Sequence, residues 1–534
     1  MEQILSSFAA FYPLSLITLT VLAVVIYTLD IKNQTSRILN FMFFGTVISY
    51  FIGFAGNYGF EPFMIAWGIR DLLILHFALK IGELFFIEKR FFMGTLSVLT
   101  IGMGLLFYQK DNLNLNLNIF QANSFEFDNS AELLFDIKNI EDLPKVKNLL
   151  KEYNAEIIQA FPQIASTSIT ELDNCYTIDI DDLSFLKEII EKLKNSGLIN
   201  WIEDNEVYKL PAIEVSTNQN DKQPPSILND PYAAKIWGFN HIDMAGFLKI
   251  LKKKKPVKKA KIFILDTGVD ATHEDLKDNY ISLNSKYDQD TNKHGTHCAG
   301  IACAVTNNQI GIPSLNLTGK FTSVTSITVI PGGRGTQESI IDGMILAADN
   351  GADVISMSLG GRTTPERQKA YNAAIKYAND KGAIVVVAAG NSNQNAKSHI
   401  PASCEGVITV SAIDENFNKA DFSNDVSDMK YGIAAPGVNI YSTTPNGQYE
   451  SFNGTSMATP FVAAVLGIMK SLQPDLSTEE AYQILSSTGV ETKSTKITGK
   501  CVQPLNAITN IKSKGAKVSA IKFIDKLMTF DTQK

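Results

Sequence analysis

The sequence predicts three structural parts: a helical membrane module, a small α+β domain, and a large α/β domain with a mainly parallel sheet. Three observations predict them. Phe-rich apolar stretches precede residue 110, short strands and helices alternate over residues 132–212, and long apolar strands ending in polar motifs follow residue 229. A length of 534 residues suits several domains, and the mean hydropathy of +0.02 averages these unlike parts.

Composition excludes several classes of protein. Five cysteines and 35 glycines without a repeating period exclude a disulfide scaffold and a collagen-like fibre. The cysteines are odd in number and widely spaced, which argues against a disulfide framework. The net charge of −7 gives no general basic character, so we expect no nucleic-acid partner.

Residues 1–110 contain 15 of the 31 Phe of the chain. Four apolar stretches there each approach the roughly 20 residues that an α-helix needs to cross a bilayer. They are Phe11–Leu29, Ile38–Phe60, Phe63–Phe86 and Phe91–Phe107. We therefore expect a multi-pass module in contact with the lipid bilayer.

The third stretch is unusual because it carries ionisable side chains, and His76, Lys80 and Glu83 share one helical face. Such residues are costly inside a bilayer and face a bundle interior or water. Two interpretations remain open: a polar face that contacts a signal or substrate, and a helix that is internally paired or interfacial.

Basic residues between the stretches set the expected orientation. Lys32 and Arg37 follow the first stretch and Lys89 and Arg90 follow the third, whereas the N-terminus and residues 57–62 contain no Lys or Arg. Both ends of the module are then outside the cytoplasm, and the large domain is extracytoplasmic at the cell membrane. This expectation depends on the third stretch crossing the bilayer.

A small domain is predicted over residues 132–212, after a linker at 111–131. Strands are expected at Glu132–Lys138, Glu156–Ile164, Cys175–Ile180 and Leu198–Leu210, and helices at Glu141–Asn154 and Asp182–Ser196. This βαββαβ order is typical of a ferredoxin-like arrangement, which alone indicates no function. A polar segment at 213–228 leads to the large domain at 229–510, and a tail covers 511–534.

Six lysines lie within the segment Lys252–Lys259, just before a predicted strand. A solvated surface loop and a contact with anionic lipid headgroups both fit this run.

The first chemical motif is an apolar strand, Lys261–Asp266, followed by Thr267 and Gly268. An Asp at the carboxyl end of such a strand lies where open α/β sheets place their sites. Asp-Thr-Gly also occurs in aspartic proteases, but these need two copies and the chain has one.

The second motif runs from His294 to Gly300 and begins a helical stretch. His294 with Gly295 beside it suits a general base that another group approaches closely. The alternative is a metal pair of His294 and His297, which lacks a neighbouring Glu and a third ligand.

The third motif is Asn453–Pro460, in which Ser456 stands at a Gly-containing turn before an apolar helix. A Ser there can be a nucleophile, whereas an ordinary N-cap explains Ser456 alone but not the whole motif. A further apolar strand, Ala383–Gly390, precedes Asn391, whose amide could donate to an oxyanion.

Together these motifs resemble the subtilisin-like serine proteases, and most closely the thermitase branch, which also has a Cys at the position of Cys298. The resemblance extends over residues 229–510, in the order Asp, His, Ser. It implies polypeptide substrates, a triad of Asp266, His294 and Ser456, and an oxyanion donor at Asn391. The substrate-binding residues that it implies are Gly333, Gly335, Ser358, Leu359 and Gly360.

The same resemblance implies a structural Ca²⁺ site. The matching residues are Asp230, Asp275, Val305, Asn308, Ile310 and Ile312. Their carboxylate, amide and carbonyl oxygens form the oxygen-only ligand set that Ca²⁺ prefers.

By the same resemblance, residues 132–212 correspond to an inhibitory propeptide that is removed by cleavage within Leu210–Leu228. The chain departs from the family pattern where a membrane module replaces the usual signal peptide. The resemblance thus implies a membrane-anchored serine endopeptidase made as a zymogen. The alternative is a protease-like binding or signalling membrane protein that its propeptide keeps occupied.

Overall fold

The structure is a computed structural model that describes residues 131–164, 170–211, 227–363 and 368–511. The four apolar stretches predicted to cross a membrane lie outside these residues. Within the described ranges, Thr455–Leu472 is the one helix long and apolar enough to cross a bilayer, and 94% of it is buried inside the protein.

The small domain is a four-stranded antiparallel sheet covered by two helices on one face. Its elements are β1 (Leu133–Ile137), α1 (Leu143–Leu149), β2 (Glu156–Gln159), β3 (Cys175–Asp179), α2 (Leu186–Ser196), β4 (Ile199–Asp204) and the detached strand β5 (Val207–Lys209). The order in the sheet is β2-β3-β1-β4, so the chain follows a βαββαβ path. Leu133, Phe135 and Ile137 form a core with Ile189 and Leu193 of α2.

Three elements differ clearly from the boundaries expected from sequence. The strand expected over Glu156–Ile164 is shorter, because β2 ends at Gln159 and the chain turns at residues 162–164. The first helix is shorter, because 3-10 turns at Ile140–Asp142 and Lys151–Tyr153 flank α1. The long strand expected over Leu198–Leu210 is divided into β4 and β5. The division falls at Asn205, whose backbone N–H donates to the Glu132 carbonyl at 2.7 Å and ends the pairing with the sheet.

The large domain begins with α3 (Met244–Leu251) and β6 (Ala260–Asp266). Its next elements are α4 (His294–Cys303), β7 (Thr322–Thr328), β8 (Arg334–Thr336), α5 (Gln337–Asp349), β9 (Val354–Met357), β10 (Gly361–Arg362), α6 (Lys369–Asp380), β11 (Ile384–Ala388), β12 (His399–Ile400) and β13 (Val407–Ile413). It ends with β14 (Gly432–Pro436), β15 (Ile440–Thr444), β16 (Gln448–Phe452), α7 (Thr455–Leu472), α8 (Thr478–Thr488), α9 (Thr495–Thr498) and α10 (Pro504–Thr509).

Six parallel strands form the central sheet, in the order β14-β13-β11-β9-β6-β7. Along β6, Ile262 and Ile264 join the core on the side of α4 and α7, whereas Phe263 and Leu265 join the core on the side of α5 and α6. This alternation buries both faces of the sheet and produces the three-layer α/β architecture.

The small domain packs on the α5 and α6 side of the large one. Leu134, Phe161 and Cys175 share a hydrophobic cluster with Ile341 of α5 and Tyr371 of α6. The two domains therefore form one continuous apolar core on that side.

All five cysteines lie in the described ranges, and each is a buried free thiol.

Candidate active site

Asp266 and His294 are in direct contact at the carboxyl edge of the sheet. Asp266 is the last residue of β6 and His294 the first of α4, and the distance from Nδ1 of His294 to Oδ1 of Asp266 is 2.8 Å. Both are buried. Burial opposes a charged imidazole, but the Asp266 carboxylate outweighs it and holds the pKa of His294 well above its ordinary value.

Gly295 permits this contact. A Cβ at position 295 would collide with the carbonyl oxygen of Gly268, because the start of α4 lies directly against the turn after β6. The Gly after His294 is therefore required by the close approach of the strand and the helix.

Ser456 is the second residue of α7 and is connected to His294 through Cys298, which contacts both residues. Its hydroxyl donates to the Ser358 carbonyl at 3.1 Å, and the Ser358 hydroxyl donates to the Ser456 carbonyl at 2.7 Å. Cys298 lies between the two motifs, since its thiol donates to the Ser456 carbonyl at 3.5 Å and is 4.0 Å from Nδ1 of His294. The structure thus brings the three predicted triad residues to one place.

Asn391 follows β11 and is held by the residue before Ser456. Its Oδ1 accepts hydrogen bonds from the backbone N–H of Thr455 at 2.9 Å and from the Thr455 hydroxyl at 2.8 Å. With its oxygen bound in this way, the side chain directs its Nδ2 donor away from Thr455. This geometry suits donation to a ligand beside Ser456.

The predicted substrate-binding residues lie on two edges. Gly333 and Gly335 flank Arg334 at β8, whereas Ser358, Leu359 and Gly360 follow β9.

The first edge is paired with β5 of the small domain. In this antiparallel pair Tyr208 lies opposite Gly335, and the Leu210 N–H donates to the Gly333 carbonyl at 2.8 Å. The buried Tyr208 ring also lies against Gly361 and makes an edge contact with Tyr371 at 6.4 Å. Strand β5 of the small domain therefore covers the edge of β8.

The predicted calcium ligands are grouped around one loop. Asp230 accepts hydrogen bonds from the backbone N–H groups of Asn307 at 2.9 Å and Asn308 at 3.1 Å. Asp275 accepts from the Ile312 N–H at 2.8 Å and from the Asn308 amide at 3.2 Å. Val305 joins the same loop through its N–H, which donates to the Asp275 carbonyl at 3.3 Å, and Ile310 donates its N–H to Oδ1 of Asn308 at 2.9 Å.

Two buried carboxylates on this loop fit a hard cation. Burial raises the pKa of Asp275 to about 7 and also raises the pKa of Asp230. Asn308 could add its side-chain oxygen, which accepts the Ile310 N–H here, and carboxylate and amide oxygens are ligands that Ca²⁺ accepts.

The alternative metal pair of His294 and His297 is not supported by the placement of His297. Its Nε2 is 3.1 Å from the Glu450 carbonyl, and its ring stacks on Phe452 at 4.1 Å. Burial lowers the pKa of His297 to about 3, which suits a neutral core histidine.

Several contacts were not foreseen from the sequence. Asp290 accepts hydrogen bonds from Thr267 and Thr296, each close to a predicted triad residue. Glu203 of the small domain accepts from the Lys369 N–H at the start of α6. An Asp shortly before a helix start is a capping signal that could have identified Asp290, whereas Glu203 had no local signal.

Comparison with known proteins gives consistent matches over the large domain. A model of the Subtilase family matches residues 257–504. Thermitase from Thermoactinomyces vulgaris is 44% identical over 218 residues, which are 40% of this chain and 75% of thermitase. Subtilisin DY from Bacillus licheniformis is 40% identical over 236 residues, which are 43% of this chain and 82% of that relative.

A solved structure agrees on the fold. Fervidolysin from Fervidobacterium pennivorans, a keratinolytic enzyme related to subtilisin, matches with a TM-score of 0.60 and 22% identity, over 74% of this chain and 63% of that one. The predicted subtilisin-like α/β fold with a mainly parallel sheet is confirmed. Since the chain also spans three quarters of a relative to which it is 44% identical, it belongs to the subtilase family and is a serine endopeptidase.

Proposed function

We propose that the chain hydrolyses peptide bonds through an acyl-enzyme intermediate formed on Ser456, with His294 as general base and Asp266 as its partner. The observation that carries this proposal is the 2.8 Å contact between His294 and Asp266 beside Ser456. Because the Asp266 carboxylate receives the Nδ1 hydrogen, Nε2 of His294 is left as the acceptor for the Ser456 proton.

The reaction then proceeds in two halves. Oγ of Ser456 turns from the Ser358 carbonyl, loses its proton to Nε2 of His294 and bonds to the substrate carbonyl carbon. The C–N bond breaks as His294 returns that proton to the leaving amine. A water molecule, deprotonated in the same way, hydrolyses the ester and regenerates Ser456.

The oxyanion of the tetrahedral intermediate would accept hydrogen bonds from the Ser456 N–H and the Asn391 amide. Two features support this role: Ser456 lies at the N-terminal end of α7, where N–H groups lack helical partners, and Thr455 orients the Asn391 amide. An extended substrate would replace β5 between residues 333–335 and 358–360.

We further propose that residues 132–212 are an inhibitory propeptide. The pairing of β5 with β8 supports this, since it fills the edge that a substrate strand would use. Three hydrogen bonds hold the small domain against the first residues of α5 and α6. Glu203 accepts from the Lys369 N–H at 2.7 Å and from the Gln337 side-chain amide at 2.9 Å. Asn205 accepts from the Glu338 N–H at 2.9 Å. Autoprocessing would cut within residues 210–228.

Two further assignments complete the proposal. The loop around Asp230 and Asp275 would hold a structural Ca²⁺ through its carboxylate, amide and carbonyl oxygens. Residues 1–110 would anchor the protein in the cell membrane as a multi-pass module, with the protease on the extracytoplasmic side. The apolar stretches and the placement of Lys and Arg in the sequence support the anchoring.

The test compares the full-length wild type, recovered from membranes, with Ser456→Ala and with the matched control Ser487→Ala, which removes an exposed hydroxyl from α8. Intact mass, N-terminal sequencing and casein hydrolysis are measured. We expect wild type and Ser487→Ala to mature and cleave casein, and Ser456→Ala to remain full length and inactive. If all three stay full length and inactive, the alternative of a permanently occupied binding or signalling protein replaces the proposal.

A further inference from the structure

Asp290 is a buried carboxylate in the loop that precedes α4. It accepts five hydrogen bonds, from the Thr267 hydroxyl at 2.8 Å, the N–H groups of Asn292 at 2.9 Å and Lys293 at 3.1 Å, and the N–H and hydroxyl of Thr296 at 2.9 and 2.7 Å. So many donors on one carboxylate fix its position strongly.

These bonds join the two elements that carry Asp266 and His294. Thr267 directly follows Asp266 in the chain, and Thr296 lies two residues after His294. The Thr267 hydroxyl also accepts a hydrogen bond from the Gly295 N–H at 2.9 Å. Asp290 therefore connects the end of β6 to the start of α4 by a route that is separate from the Asp266–His294 contact.

The loop between Asp290 and His294 needs such an anchor. Lys293 has φ of 86°, a left-handed conformation that is unfavourable for a residue with a Cβ. Its N–H is held by Asp290, and its ammonium group pairs with Glu450 at 2.7 Å. The carboxylate also accepts from the Thr296 N–H in the first turn of α4, where a negative charge is favourable.

We propose that Asp290 is a positioning residue that sets the relative placement of Asp266 and His294. The inference rests on the proposed triad. Asp290 acts through Thr267 and the start of α4 and does not touch the substrate.

The test uses Asp290→Asn with Asp288→Asn as the matched control. Asp288 lies in the same loop and likewise accepts hydroxyl hydrogen bonds, from Tyr280 at 2.8 Å and Ser282 at 2.7 Å, but it contacts neither Thr267 nor α4 through these bonds. Rates are divided by the concentration of active sites, measured by labelling Ser456 with a fluorophosphonate, so that incomplete maturation does not count as slow catalysis.

We expect Asp290→Asn to lower kcat about 10- to 100-fold with little change in KM, because misplacement of a reacting group acts on the chemical step. The acid limb of kcat/KM should move to lower pH, because a looser Asp266–His294 contact would raise the pKa of His294 less. Asp288→Asn should match wild type in both measurements.

Thr267→Val and Thr267→Ser provide a second test that keeps the Asp290 charge. Thr267→Val should lower kcat and move the acid limb in the same direction, because it breaks the same link between β6 and α4. Thr267→Ser should recover most of both changes because it restores the hydroxyl. If Asp290→Asn matches Asp288→Asn in kcat and acid limb, the inference is wrong. It is equally wrong if Asp290→Asn and both Thr267 variants lose their folded structure together.

Failure of this inference differs from failure of the proposed function. An inactive wild type, or an active Ser456→Ala, would refute the proposed triad. An active wild type whose Asp290→Asn variant keeps its full kcat would refute only the role of Asp290.

Discussion

Ser358 and Ser456 exchange hydrogen bonds, each hydroxyl donating to the carbonyl oxygen of the other residue, at 2.7 and 3.1 Å. Ser358 follows β9 of the central sheet and Ser456 opens α7, so this exchange fixes the start of the helix against the sheet edge. The hydroxyl of Ser358 is buried and holds the backbone of Ser456, the proposed nucleophile, rather than its Oγ.

Ser358→Ala should therefore slow catalysis moderately. Loss of one neutral hydrogen bond costs about 1 kcal/mol, which corresponds to a five- to tenfold lower kcat if the bond orients Ser456 in the transition state. Ser356→Ala is the matched control, since Ser356 is a buried residue of β9 whose hydroxyl has no hydrogen-bond partner among the described residues. Steady-state kinetics on a peptide anilide would measure both, and equal rates would contradict the role of Ser358.

Asn391→Leu should lower kcat about 10²- to 10³-fold, because the amide would donate to negative charge that exists only in the transition state. KM should change little for the same reason. Thr455→Ala should give a smaller loss, since it removes one of the two hydrogen bonds that orient the amide but leaves the donor in place. A larger effect on KM than on kcat in Asn391→Leu would show that the side chain binds the ground state instead.

The pH profile should report the raised pKa of His294. The free enzyme needs a neutral imidazole, so kcat/KM should fall as the pH falls through this pKa, and the acid limb should lie at higher pH than for an ordinary histidine. The stability of the fold changes with pH in the opposite direction to kcat/KM. The protonated imidazole stabilises the fold below its unfolded pKa, and this contribution is lost as the pH rises through the folded pKa.

Asp266→Asn tests the cause of that shift. Removal of the carboxylate should move the acid limb to lower pH and reduce kcat about 10⁴-fold, since the imidazole loses both its charge partner and its fixed tautomer. An acid limb that stays in place would mean that a group other than Asp266 raises the pKa of His294, since burial alone lowers it.

The residues that we propose for the chemistry could be selected from the sequence because each lies within a short motif. Asp266 ends an apolar strand, Ser456 begins an apolar helix after a turn, and Asn391 follows an apolar strand. The contacts that position them join residues far apart in the chain, such as Ser358 with Ser456, 98 positions away. No local pattern encodes such pairs, because they arise only when the sheet and helices pack.

The division of the strand predicted at Leu198–Leu210 also depends on contacts between residues that are far apart in the chain. The residues on both sides of Asn205 are suitable for a strand, and the only local signal for a break is the pair Asp204 and Asn205, whose residue types favour turns. Asn205 and Glu206 instead cap the start of α5, through the N–H groups of Glu338 and Gln337 at 2.9 and 2.8 Å. Tertiary contacts with the other domain therefore decide where the strand ends.

Removal of calcium should destabilise the protein. A ligand present at 100 times its Kd stabilises the folded state by about 2.7 kcal/mol, which corresponds to roughly 5–10 °C in Tm for a domain of this size. Differential scanning fluorimetry of the full chain, with calcium and with EGTA, would measure this shift. Asp275→Asn should abolish the dependence and the exposed control Asp278→Asn should keep it, whereas an EGTA-insensitive wild type would count against the site.

Glu203→Gln should speed the release of the small domain. The Glu203 carboxylate accepts from the Gln337 amide and from the Lys369 N–H, and an amide in its place presents an N–H group to one of these two donors. A buried donor left without an acceptor costs about 1–3 kcal/mol, so we expect roughly a tenfold faster dissociation of the cleaved domain. The exposed Glu191→Gln in α2 is the control, and co-purification of the small domain with the protease over time is the measurement. Equal retention of the small domain in both variants would mean that β5 and the apolar interface alone hold it.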